Sequence, residues 1–133
     1  MKKLFAILAL STLSFNVLSQ TIGDHLNDIR EKKSEGVLLG DPGSYYYSVE
    51  DDSKSNVFLY YLNDKLVCNR IIIRPRKEIT LQGWVQVFNQ GWVVIDNTHW
   101  MYYKKDGGIL EVRMIYVDDT IGYVFEIREA NQY

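Results

Sequence analysis

The sequence predicts an α+β fold: one two-layer domain in which an antiparallel sheet of about six to seven strands carries two helices on one face, in the order α-βββ-α-ββββ. Three observations carry that prediction. Residues 109–128 alternate with period two on both sides of Asp118-Asp119: Leu110, Val112, Met114 and Tyr116 face one way, and Ile121, Tyr123, Phe125 and Ile127 form the apolar set of the return arm. Residues 22–35 and 77–90 instead repeat apolar positions at helical spacing. The remaining runs are rich in Val, Ile and Tyr and are joined by links too short for crossovers, which implies antiparallel neighbours with the helices gathered on one face. An isolated hairpin is marginal in water, so the apolar face of residues 109–128 needs both more strands and a lid.

Each element follows in order. Lys2 and Lys3 precede an almost unbroken apolar run over residues 4–13, and Val17 and Ser19 are small enough to flank a leader-peptidase cut. Residues 1–19 therefore read as a secretory signal peptide removed before Gln20, leaving residues 20–133 as a single domain. An apolar run of about ten residues is short against the roughly 20 that a spanning helix needs, so no membrane insertion is expected once the leader is cut. Thr21-Ile22-Gly23-Asp24 has the spacing of a capping box; Ile22, Leu26 and Ile29 supply a narrow apolar stripe, and Gly36 a stop, for a helix over residues 22–35.

Gly40-Asp41-Pro42-Gly43 is a turn, followed by strands over residues 44–49 and 57–62. Asn63-Asp64 links to a strand over residues 65–73, which Pro75 ends because proline cannot donate to a ladder. Leu81, Trp84, Val85 and Phe88 give the second helix, residues 77–90, a broad apolar face suited to covering the sheet, with Gly91 as its stop. Residues 92–95 and 99–104 are short strands around an Asp96-Asn97 turn, and Asp106-Gly107-Gly108 leads into the closing hairpin. The aromatic endings Tyr45-Tyr46-Tyr47 and Trp100-Met101-Tyr102-Tyr103 also suit two copies of a helix-plus-three-strand unit.

Charge and cysteine content narrow the function. Removing the leader takes away two lysines and no acid, moving the formal charge from −2 to −4. That balance argues against nucleic acid as a partner, and Arg70, Arg74, Arg76 and Lys77 read as a solvated rim. Cys68 is the sole cysteine, so an exported domain of this kind has no internal disulfide and either is held by its core alone or uses Cys68 between chains. Within Leu66-Val67-Cys68-Asn69-Arg70-Ile71 it reads as a small buried hydrophobe, and its distance from the leader excludes a lipid anchor.

The leader ending Leu18-Ser19-Gln20, the run Val57-Phe58-Leu59-Tyr60-Tyr61 through Cys68, the helix ending Phe88-Asn89, and Trp100-x-x-Tyr103 before Gly-Gly-Ile and the closing hairpin resemble small exported proteins of unknown function from Gram-negative bacteria. The helix-then-three-strand order is similar to the unit of the β-lactamase-inhibitor-protein and outer-membrane assembly lipoprotein folds. The first group implies no activity, and a fold-level likeness does not fix function.

The catalytic inventory is thin. His25 and His99 lack the spacing of a zinc site, no Gly-x-Ser-x-Gly elbow occurs, and residues 36–43 lack the ending of a phosphate-binding loop. Asp51-Asp52 and Asp118-Asp119 read as turn formers, with neither the glycine nor the distal glutamate of a calcium loop. No metal site and no cofactor are expected; Cys68 with His99 is a nucleophile and base by composition only.

The unusual feature is ten tyrosines and three tryptophans, because neighbouring strand aromatics must point to opposite faces and one of each pair leaves the covered core. Such rows either stabilise the sheet by cross-strand pairing or serve as a binding surface. The leading expectation is a non-enzymatic binding module of the periplasm or cell exterior that holds another protein with Tyr46, Tyr60, Trp100 and Tyr102. The alternatives are a small hydrolase or lyase on envelope or extracellular polymer with His99 as base, and a structural component of an envelope assembly.

Overall fold

The computed structural model describes residues 21–130, so the expected signal peptide lies outside the described residues. Among the described residues two helices and eight strands follow one another as α1 (Leu26–Lys32), β1 (Val37–Leu39), β2 (Tyr46–Glu50), β3 (Asn56–Leu62), β4 (Cys68–Pro75), α2 (Glu78–Gly91), β5 (Val93–Asp96), β6 (His99–Tyr103), β7 (Ile109–Asp118) and β8 (Gly122–Glu129). The strands form one open sheet in the order β1-β2-β3-β4-β8-β7-β6-β5, antiparallel throughout. The chain is therefore two four-strand meanders, each preceded by a helix, laid side by side with β4 against β8.

The α+β class with one antiparallel sheet is as expected, but the strand number is eight and the order is α-ββββ-α-ββββ. The missed strand is β1: three residues between Gly36 and Gly40 are too few to show alternation, and only pairing with β2 makes them a strand. The repeated unit is accordingly a helix plus four strands.

Helix α1 is shorter than the expected 22–35. Gly23 takes a left-handed φ of 99°, its N–H donates to the Cys68 carbonyl at 2.8 Å, and the Cys68 N–H donates to the Asp24 carbonyl at 2.8 Å. This stretch is thus tied alongside the start of β4 and cannot also be helical. The cap is His25, whose Nδ1 accepts from the Asn27 N–H at 3.1 Å, in place of the Thr21–Asp24 box. At the other end the Tyr47 hydroxyl donates to the Lys33 carbonyl at 2.6 Å and accepts from the Gly36 N–H at 3.0 Å. A Cβ at Gly36 would overlap the Tyr47 ring, so the close approach requires glycine.

Helix α2 lies within one residue of its expected span and buries Trp84, Val87 and Phe88 against the sheet. One transverse row runs across every strand of the covered face: Leu38, Tyr47, Tyr60, Ile71, Ile127, Val112, Trp100 and Val94. Its six inner members are buried, each side chain contributing roughly 1.5–3 kcal/mol. Phe88 packs among Trp84, Trp92, Trp100 and Phe125 with ring centroids 5.3–5.8 Å away. The buried indoles are paired: Trp84 Nε1 donates to Asn56 Oδ1 at 2.9 Å and Trp100 Nε1 to Asn89 Oδ1 at 2.8 Å.

Tyr47 and Tyr60 are adjacent in the row but differ in their hydroxyls. Tyr47→Phe strips two backbone groups of their partner and is expected to cost about 1–3 kcal/mol. The Tyr60 hydroxyl is buried with no hydrogen-bond partner among the described residues, so Tyr60→Phe is expected to leave stability unchanged or raise it. Urea denaturation of the two variants checks this; equal losses would contradict the assignment.

Candidate functional site

Among the described residues no helix lies on the other face of the sheet, and the strand register lays out what that open face presents. One row reads Leu39, Tyr46, Tyr61, Arg70, Arg128, Glu111, Met101 and Val93; the next reads Val37, Ser48, Leu59, Ile72, Glu126, Arg113, His99 and Asp96. Strands β4, β8 and β7 thereby bring together Arg70, Arg74, Arg113 and Arg128 with Glu111 and Glu126.

The aromatic end of this face is a stack. Tyr46 and Tyr61 lie with ring centroids 5.2 Å apart, and the Arg70 guanidinium carbon sits 4.2 Å from the centre of the Tyr61 ring. From Arg70 an ion lattice runs across three strands. Arg70 Nη1 is 3.5 Å from Glu126 Oε2, and Arg128 Nε is 3.6 Å from Glu126 Oε1 and donates to Glu111 Oε1 at 3.1 Å. Glu111 Oε2 lies 3.2 Å from His99 Nε2 and 3.6 Å from Arg113 Nη2. Glu111 is the best shielded of these groups, with its side chain 8% exposed. Burial by itself raises its pKa, but the hydrogen bonds from Arg128 and His99 and the charges of Arg113 and Arg128 outweigh burial and hold the carboxyl below its ordinary value.

The residues expected to form the binding surface divide between the two faces. Tyr46 is on the open face as expected. Tyr60 and Trp100 are corrections: both are fully buried on the helix-covered face. Tyr102 is a third, half-buried on the covered face with its ring 5.0 Å from Trp92. Alternation alone says that one tyrosine of each pair leaves the core, and which one depends on where the helices lie. Here Tyr61 and Tyr103 point outward in their place. Sequence reasoning missed Tyr61, Arg70, Glu111 and Arg128. The usable signal was the alternation of Arg70, Ile71, Ile72, Ile73 and Arg74 on β4, which puts both arginines on the face opposite Ile71 and Ile73.

His99 is on the open face, and among the described residues the only side chain hydrogen-bonded to it is Glu111. Cys68 lies in the core on the other side of the sheet, and burial pushes its thiol up to about 12, so the two do not form a nucleophile–base pair. The acidic pairs act in turns: Asp51 accepts from the Ser55 and Asn56 backbone N–H groups and from Asn56 Nδ2, and Asp118 accepts from the Thr120 and Ile121 N–H groups. Among the described residues no group of three or more His, Cys, Asp or Glu side chains is placed to hold a metal ion, and no helix is long and apolar enough to cross a membrane.

Comparison of the chain with protein-family models, with curated proteins and with solved structures finds no match.

The lowered pKa of Glu111 sets the sign of a pH effect. Its ordinary value is 4.5 and its folded value is lower, so the stability it contributes is fully present above 4.5 and is lost as pH falls through the folded value. Glu111→Gln removes this contribution and is expected to flatten the acid limb of the stability–pH curve. Chemical denaturation at stepped pH checks this, and an acid limb identical to that of the wild type would contradict it.

Proposed function

We propose that the protein is an exported, non-enzymatic module that binds another protein through the open face of its sheet. The observation that carries the reading is the Tyr46–Tyr61–Arg70 stack continuing into Arg128 and Glu111. Tyrosine and arginine dominate the energetics of protein interfaces, because each supplies a large contact area, and a side chain already held in place loses little entropy on binding. Here both features coincide: the Tyr61 ring is sandwiched between Tyr46 and Arg70, and the arginines are aimed by Glu111 and Glu126.

The chemistry of the face also indicates the kind of partner. Strands β4, β8 and β7 set four arginines against two glutamates on a chain whose net charge is negative, so the excess positive charge is local. A protein surface with acidic groups around an apolar centre is complementary to it: carboxylates meet the arginines while Tyr46, Leu59 and Ile72 take up apolar contact. Export rests on the leader-like residues 1–19 and places that partner in the periplasm or outside the cell.

The test is capture from the envelope and medium of the producing cell with the wild type and with Tyr61→Ala and Arg70→Ala. A partner held by the wild type is expected to be weakened about 30-fold by either substitution, corresponding to roughly 2 kcal/mol at an interface hot spot, and to be retained by Lys105→Ala at a distant turn. A partner set that none of the three changes alters would contradict the reading.

A further inference from the structure

We infer that β5 is a self-association edge: the protein forms a two-fold dimer in which β5 pairs antiparallel with β5 of a second copy, continuing one sheet through both subunits. β5 is the terminal strand of the sheet, so on its outer side no described element pairs with it. Val93, Val94 and Ile95 are 49, 50 and 49% exposed, which leaves three consecutive strand-forming apolar residues in water. Exposed edges are ordinarily defended with lysine, proline or inward-pointing charge. From Glu78 to Tyr103 the chain contains no lysine, arginine or proline. The one defence is the register irregularity between Val94 and Asp96, which confines outer pairing to a short segment and makes the contact weak and concentration-dependent.

Charge and symmetry select a second copy as the occupant. With the two-fold axis at Val94, Val94 meets its own copy, Val93 meets Ile95, and Asp96 meets Trp92. Asp96 is the only charged residue between Asn89 and Thr98, so no like charges face one another in this register. The opposite edge is less suited: β1 centred on Leu38 sets Glu35 against Asp41 twice per dimer, and the strand stops at Gly40, whose φ is 95°. Pairing β1 with β5 of the next copy is heterologous and would run on into a fibre, whereas β5 with β5 closes.

The axis of such a dimer is perpendicular to the sheet, so both helix layers lie on one side and both open faces on the other. The covered-face row then passes from Val94 into Val94 of the second copy, and the Tyr61–Arg70 end of each subunit stays free at the far edge. The dimer therefore stands or falls independently of the open-face reading.

Sedimentation equilibrium from about 1 μM to about 1 mM, spanning the range in which so short an interface associates, provides the test. The wild type is expected to pass from monomer to dimer, with slowed amide hydrogen exchange over residues 93–96 at the concentrated end. Val94→Lys and Ile95→Lys are each expected to weaken dimerisation at least tenfold while retaining the wild-type circular dichroism. Ile95→Lys keeps the test open should Val94→Lys disturb packing on the covered face. A monomer at every concentration, a higher polymer, or a dimer that folded variants leave intact would overturn the inference, the first leaving the edge to a different strand donor.

Discussion

The rest of the structure depends on the pairing of β4 with β8. It joins two meanders that each close locally, and it does so through Arg70 with Arg128, Ile71 with Ile127, Ile72 with Glu126 and Ile73 with Phe125. These partners are far apart in sequence, so the pairing must offset the entropy of closing a long loop before it returns any stabilisation. The covered side does this with Ile71, Ile73, Phe125 and Ile127, all completely buried. The open side carries a cost in the same register, because Arg70 and Arg128 fall directly opposite one another and like charges so placed are destabilising. Glu126 lies within ion-pair distance of both arginines and Glu111 takes the second, while the Arg70 guanidinium also rests on Tyr61. The ion lattice is thus the electrostatic counterpart of the hydrophobic seam beneath it.

Helix α2 secures that seam from above. Trp84 reaches from α2 to Asn56 at the start of β3, in the first meander, and Asn89 on the same helix accepts from Trp100 of β6, in the second. The helix therefore spans both halves with an indole hydrogen bond to each, and Phe88 between those contacts fills the space above Phe125. Helix α1 has half the length and a different attachment. It is held by Leu26 and Ile29, by the backbone bonds of residues 23–26 to residues 66–68, and by the Tyr47 hydroxyl at its end. The two repeats share a topology but not a mechanism of closure, which is why so little of the repeat is visible in side-chain pattern.

What could be read from the chain follows the same division. The hairpin of β7 and β8, the α2 stripe and the α+β class are local patterns of period two or 3.6, and they appear where expected. Three features are not local. β1 is a strand only because β2 lies beside it; α1 starts late because its first residues are committed to Cys68; and Tyr60 is fully buried where Tyr61 is half-buried on the open face because α2 covers the other one. The hairpin itself shows the limit, since Tyr116 and Tyr123 share the apolar pattern of Leu110 and Phe125 but lie half-exposed and packed on one another at 5.3 Å. The site was less legible than the fold for the same reason. Tyr61, Arg70, Arg128 and Glu111 come from four strands, and only the register of the whole sheet makes them neighbours.

A structural need for the lattice and a use for it in binding do not compete. Neutralising two facing arginines requires two carboxylates at fixed positions, and that fixes the arginines as well. Side chains held in this way lose less entropy when a partner arrives, so a surface arranged to relieve repulsion at the seam is already arranged to receive an acidic partner. The covered face lacks this property: its tyrosines and tryptophans are more numerous, but Tyr60 and Trp100 are committed to the core and Tyr47 to α1. Aromatic content alone therefore says little about binding in a sheet protein. What distinguishes Tyr61 from Tyr60, one residue away, is that its other neighbours are a tyrosine and a cation facing water, and the strand register decides which of the two that is.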